Sequence, residues 1–162
     1  MPMSMTKTGD WDKLNQVLSK IKSSGIVPAF RGKLNDMGDY VVEKIQGHIQ
    51  SQDLNWSPLS DRTIELKAGD DRIYIDTGLL MNSFCAKVTT KGSDFCLYVG
   101  VDPNATTSDG TKLSDVLIYM EYGTDSQVPR PLIQPTAKEV TPIIKKEVAE
   151  AIKKVLRGES LG

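Results

Sequence analysis

Asp76-Thr77-Gly78 is the triplet in this 162-residue chain whose residue types could do hydrolytic chemistry. A carboxylate in a tight turn after an apolar run, here Ile73-Tyr74-Ile75, can share one proton with a second such carboxylate and activate a water. The chain holds one copy of the triplet, so this use of Asp76 demands a homodimer. Leu79 stands where that geometry wants a small residue, and nothing in the sequence supplies a flap. The simpler expectation is structural. Asp76 or Thr77 caps a single helical turn through Leu80 and Met81 and turns the chain at the mouth of a hairpin.

Other chemistry-bearing residues are few. His48 is the sole histidine. On a helix its nearest preceding acid, Glu43, points about 140° away, so no carboxylate on that helix orients the imidazole and a packing role is expected. A lone histidine and two cysteines, Cys85 and Cys96, do not make a zinc site. Paired on adjacent strands in the register given below, the cysteines sit roughly 13 Å apart along the sheet, too far for a disulfide, and free thiols are expected. No glycine cluster opens a helix with a lysine-serine ending, which excludes a phosphate loop. Asp115 and Glu121 form no defensible acid–base pair. Trp56-Ser57-Pro58 could stack a ligand, but the expectation is a capped turn pinned by a buried aromatic ring. No catalytic, cofactor-binding or metal-ligating residue is expected.

The elements that position these residues can be read from periodicity. Residues 84–90 and 95–101 alternate around the turn residues 91–94. Pairing Thr90 with Phe95 sets 84 against 101, 86 against 99 and 88 against 97. One face is then Phe84, Ala86, Val88, Thr90, Phe95, Leu97, Val99 and Val101, and a slip of one residue would mix it with the polar face. A helix at about 29–52, with the stripe Phe30, Leu34, Met37, Val41, Ile45 and Ile49, supplies the cover. Gly38 and Gly47 weaken it intrinsically, so packing must hold it. Asp10 begins a shorter helix with Leu14, Val17, Leu18 and Ile21, which Gly25 ends, and Ile26-Val27-Pro28 reads as a connector. Ser60 caps a short helix to about Lys67, ended by Ala68-Gly69, and Asp70-Asp71 should be exposed. Residues 103–114 read as a mobile polar loop, and 116–122 as a short helix or strand closed by Gly123. The prolines at 129, 131 and 135 imply an extended edge segment. A C-terminal helix at about 136–157 carries Ile144, Val148, Ile152, Val155 and Leu156 on one side, with Pro142 marking a break or a start capped by Thr141. The expected fold is α+β, an antiparallel sheet built on the hairpin and covered on one face by the long helix, in a single domain over 1–162 with residues 1–9 frayed.

Composition bounds the function. A net charge of −1 argues against a dedicated nucleic-acid binder. Residues 1–10 lack the apolar core of a signal peptide and no apolar run nears the length of a span, so cytoplasmic synthesis and no membrane partner are expected. The charge is uneven. Residues 35–76 hold nine acids against four bases, and residues 136–157 six bases against three acids. Besides solvated helix faces, this asymmetry suits complementary faces of a self-assembled oligomer.

Four short motifs occur in order: Trp56-x-Pro58-Leu59-Ser60-x-x-Thr63, Asp76-Thr77-Gly78-x-Leu80-x-x-Ser83, Glu121-Tyr122-Gly123-Thr124, and Pro129-Arg130-Pro131-x-x-x-Pro135 ahead of the terminal helix. Together they resemble the tail-completion and head–tail joining (neck) proteins of long-tailed bacteriophages, over about residues 30–157. Leu132 departs from the phenylalanine common there, and loop 103–114 is generous. The resemblance implies a virion component without catalytic activity or cofactor, assembled in the host cytoplasm as a ring, often a hexamer. Its partners would be further copies of itself, the tail tube protein and the head connector. Residues expected at such contacts are Lys87 and Tyr98 on the polar hairpin face, Glu121, Tyr122, Arg130 held between prolines, and Leu132. The alternatives are an adaptor module of the same fold outside a virion, or the homodimeric hydrolase built on Asp76.

Overall fold

Alternation in the central stretch yields the expected hairpin. The computed structural model describes residues 26–91, 94–157, 159 and 161, and within them β1 (Phe84–Lys91) pairs antiparallel with β2 (Asp94–Val101). The register sets Phe84 against Val101, Ala86 against Val99, Val88 against Leu97 and Thr90 against Phe95, as the alternation requires. Cys85 and Cys96 are free thiols. The helix expected over residues 10–22 lies outside the described residues.

The long helix, α1 (Ile26–Ser51), covers the apolar hairpin face. It begins three residues earlier than expected because Pro28 falls in the first turn, where its missing N–H would have had no helical partner. Phe30 packs on Phe95 near the hairpin turn, with ring centroids 5.6 Å apart. Farther along, Gly38 lets the helix backbone approach the sheet. A Cβ on Gly38 would lie 2.5 Å from Cβ of Ala86 and 2.9 Å from Cδ1 of Leu97. The glycine that weakens the helix as an isolated segment is therefore what lets it dock.

Around the far end of α1 gather three short helices, α2 (Asp61–Leu66), α3 (Leu79–Asn82) and α4 (Leu113–Tyr122), and the C-terminal α5 (Ile133–Arg157). Val41, Ile45 and Ile49 meet Ile73, Tyr74, Leu80, Phe84, Leu113, Leu132 and Val140 in one core. Ser60 caps α2 as expected, its hydroxyl accepting from Thr63 N, and Ala68 and Gly69 turn the chain out of it with positive φ. Gln52, just past α1, clips residue 73 in place: its amide donates to Ile73 O at 2.9 Å and its carbonyl accepts from Ile73 N at 2.8 Å.

Several expectations need correction. Loop 103–114 is tied down by its own hydrogen bonds, Thr107 N to Thr111 O at 2.8 Å and Leu113 N to Ala105 O at 3.0 Å, and its last residues already belong to α4, with Leu113 buried. Asp70 is partly sheltered and pairs with Arg72 at 2.7 Å. α5 starts at Ile133 and runs through Pro142 without ending. Pro135 sits in its first turn, where proline is compatible with a helix. Pro142 lies on the exposed side, while Thr136, Val140 and Ala151 on the other side are buried and hold the helix across it. Ile152 and Leu156, expected on the buried stripe, are 47% and 58% exposed.

Two of the three glycines of α1, Gly38 and Gly47, give opposite tests. Gly47 has open space where a Cβ would go, so Gly47→Ala should raise stability by roughly 0.5–1 kcal/mol through helix propensity. Gly38→Ala gains the same propensity but overpacks the sheet, and a net loss of about 1–2 kcal/mol is expected. Urea midpoints at unchanged m-value measure both, and a stabilised Gly38→Ala would refute the close packing of α1 on β1 and β2.

Candidate functional site

Three of the four sequence motifs, those of Trp56, Glu121 and Arg130, converge on one polar junction at the start of α5. Its backbone amides there need partners, as every helix N-terminus does. Glu121, near the end of α4, supplies them. One carboxylate oxygen accepts from Leu132 N at 2.6 Å and Ile133 N at 2.9 Å, and the other from Gln134 N at 2.9 Å. Pro135, next in line, has no N–H to satisfy. A buried carboxylate thus completes the cap, and its charge complements the positive end of the helix. Thr136 then returns its hydroxyl to Leu132 O at 2.7 Å.

The chain from α4 to α5 has to reverse sharply for Glu121 to reach the cap. Gly123 makes that possible. Its φ is +78°, and a Cβ there would stand 2.6 Å from Gln127 O and 2.9 Å from Pro129 N. Thr124 and Gln127 close the turn by exchanging backbone hydrogen bonds. Arg130 N then donates to Met120 O at 2.7 Å.

The side chain of Arg130 points inward, 6% exposed, and donates to Ser57 O at 2.7 Å and Pro58 O at 2.9 Å. From the same segment Trp56 Nε1 donates to Pro131 O at 2.7 Å, and its ring lies against Tyr74 with centroids 5.1 Å apart. Tyr74 Oη donates to Arg130 O at 2.6 Å. Burial, and after it the negative charge of Glu121, pushes the Tyr74 phenol well above its ordinary value, against a smaller opposing effect of Arg130. The phenol remains a donor through the neutral range. Trp56 is therefore a pin for this junction.

These contacts redistribute the expected interface residues. Glu121, Arg130 and Leu132 are buried within the chain, engaged with its own backbone or core, so their expected place at the surface is corrected. Lys87 and Tyr98 face each other across the hairpin on its exposed side, Tyr98 at 63%. Tyr122 is 77% exposed and lies near Ile118 and Tyr119 on the outer side of α4, with Val128 also exposed. Exposed tyrosines beside aliphatic side chains make effective contact surfaces, because they bury much area for little lost rotamer freedom.

The remaining chemistry-bearing residues are placed as follows. Asp76 is exposed, and Ile73 and Tyr74 before it form a turn rather than a strand. Gly78, with φ +79°, leads directly into α3, and Thr77 Oγ1 accepts a long bond of 3.4 Å from Leu79 N. His48 has carboxylate partners after all, from beyond its own helix: Asp53 Oδ1 lies 2.7 Å from Nδ1 and Glu139 Oε2 lies 3.0 Å from Nε2. Periodicity on one helix could not show this. Glu139 also accepts from Lys44 at 2.8 Å, and Lys33 pairs with Glu147 at 3.2 Å, so α1 and α5 are joined by ion pairs. Hydrogen bonds from Lys44 hold the Glu139 carboxyl below its usual range, and those from His48 do the same for Asp53. Among the described residues no group of three or more histidines, cysteines and carboxylates is placed to hold a metal, and no helix is long and apolar enough to cross a membrane.

Removing the cap should be costly. Glu121→Ala leaves three backbone donors without their carboxylate, and a loss of roughly 3–5 kcal/mol is expected from urea denaturation; a loss under about 1 kcal/mol would refute the cap. Tyr74 predicts an alkaline limb. A raised folded-state value means that its contribution is full below the ordinary phenol value of 10.0 and declines as pH rises beyond it, at up to about 1.4 kcal/mol per pH unit. Tyr74→Phe should flatten the stability–pH curve above about pH 10; an unchanged slope would show that the phenol ionises freely in the fold. Set beside known proteins, the chain matches no family model, no curated protein and no solved structure.

Proposed function

We propose that this chain is a ring-forming structural subunit at the head–tail junction of a tailed bacteriophage virion, acting in tail completion or tail-to-head joining. The observation that carries this is the convergence of three of the four ordered motifs. Trp56 with the carbonyls of Ser57 and Pro58, Tyr74 just ahead of the Asp-Thr-Gly turn, Glu121 and Arg130 form one bonded junction. A set of weak motifs that interlock in this way supports the resemblance better than the same motifs scattered over separate turns. The buried motif residues build the subunit, which leaves the exposed residues Lys87, Tyr98 and Tyr122 for contacts with further copies, the tail tube and the head connector.

The reading assigns no catalytic residue and no cofactor. A hydrolase built on Asp76 draws less support, because the triplet follows a turn instead of a strand and passes at once into α3. An adaptor of the same fold outside a virion rests on no separate observation.

Solution mass together with negative-stain imaging, on the chain alone and mixed with tail tubes, tests the reading. Rings, or tubes capped at one end, are expected. A chain that stays monomeric and neither caps nor binds tubes would overturn it.

A further inference from the structure

Ion pairs join α1 to α5 at two places. Lys33 meets Glu147 at 3.2 Å. Nearer the Glu121 cap, Lys44 donates to Glu139 Oε1 at 2.8 Å, His48 Nε2 lies 3.0 Å from Glu139 Oε2, and His48 Nδ1 lies 2.7 Å from Asp53 Oδ1. The imidazole is sheltered, with 12% of its side chain exposed. The titratable groups facing it are Asp53 from the turn after α1, Glu139 from α5 and, one turn back on its own helix, Lys44, whose ammonium also lies 5.9 Å from the Tyr40 ring centroid.

Two carboxylate contacts on one ring require two donors. A neutral imidazole carries a single N–H, and its other nitrogen is an acceptor. A carboxylate oxygen at 2.7 or 3.0 Å from that acceptor would set lone pair against lone pair. Neither carboxyl group brings a proton of its own, because such groups are ionised above about pH 5, and Lys44 holds Glu139 lower still. The arrangement is therefore that of an imidazolium. Histidine is also the side-chain type whose ordinary titration lies between about pH 5 and 8, and this chain has one. The lysines and glutamates of the two bridges keep their charges over that range.

We propose that His48 is a proton-operated clasp between α1 and α5: protonated on both ring nitrogens it ties Asp53 to Glu139, and on losing the Nε2 proton to water it keeps Asp53 and releases α5. Asp53 is the partner retained because its contact is the shorter and comes from five residues along the same chain. Glu139 can let go because its side chain is 39% exposed, so that Oε2 turns to water while Lys44 keeps Oε1. The release acts on the part of α5 least able to hold itself. Pro142 has no N–H to give the Lys138 carbonyl, so the helix lacks a hydrogen bond beside Glu139. The Glu121 cap on one side and Lys33–Glu147 on the other stay fastened, which confines the change to the stretch between them.

Nitrogen-15 NMR of the full chain tests this, with the single histidine giving one pair of ring signals. From pH 5 to 8 the ring should pass from protonation on both nitrogens to protonation on Nδ1 alone. Hydrogen exchange at the amides of residues 138–141, corrected for its intrinsic pH dependence, should quicken at least about threefold with the same midpoint. Amides of residues 146–150 should not follow. His48→Gln should show the fast exchange at every pH and no step. The clasp is overturned if the neutral ring carries its proton on Nε2, if the ring keeps one protonation state throughout, if exchange at 138–141 ignores the ring's titration, or if the step survives His48→Gln. The ring signals come from the unsubstituted chain, so they decide the matter even where His48→Gln fails to fold.

Discussion

A carboxylate bonded to three consecutive backbone amides holds the C-terminal helix of this protein in place. Without Glu121, the start of α5 would leave three donors unpaired, that of Leu132 in the core, where an unpaired N–H is costly. With it, the same donors become an anchor. The position of α5 then fixes Thr136 and Val140 in the core and brings Glu139 and Glu147 within reach of α1. The arrangement needs Gly123 to reverse the chain, Pro135 to leave no fourth donor, and Arg130 to tie the turn to residues 57 and 58.

The other organising constraint is the approach of α1 to the hairpin. A two-stranded sheet is marginal alone, and here one face is covered by a helix that comes close because it lacks a Cβ at Gly38. The outer face keeps Lys87 and Tyr98 exposed. The interior is thus organised by backbone satisfaction and close packing, while the tyrosines and the C-terminal leucine that could meet a partner sit outside.

Much of this is legible in the sequence, for identifiable reasons. Alternation with one apolar face specified the hairpin register residue by residue, and the Ser60 cap and Ala68-Gly69 stop specified α2. Prolines misled where their position in a helix mattered. Pro28 and Pro135 read as breakers, yet each lies in a first turn, and Pro142 is carried by packing on the opposite side of its helix. The roles of Glu121, Arg130 and His48 were hidden because their partners are backbone groups or carboxylates far away in sequence or outside their own helix. The signal for Glu121 was present in principle: an acid before a glycine turn, then a proline in the first turn of a helix. Which of Ile144, Ile152 and Leu156 face inward depends on where α1 ends its contact with α5, and periodicity alone does not give that.

The junction joins loops of very different length. Glu121 reaches its amides across 11 to 13 residues, whereas Trp56 and Arg130 bridge 72 to 75. The first contact is local, between two neighbouring helices, while the second spans the whole hairpin and the helices around it. The bonds of Trp56 and Arg130 therefore form only when the body of the fold between them is in place, and they tie its two ends together.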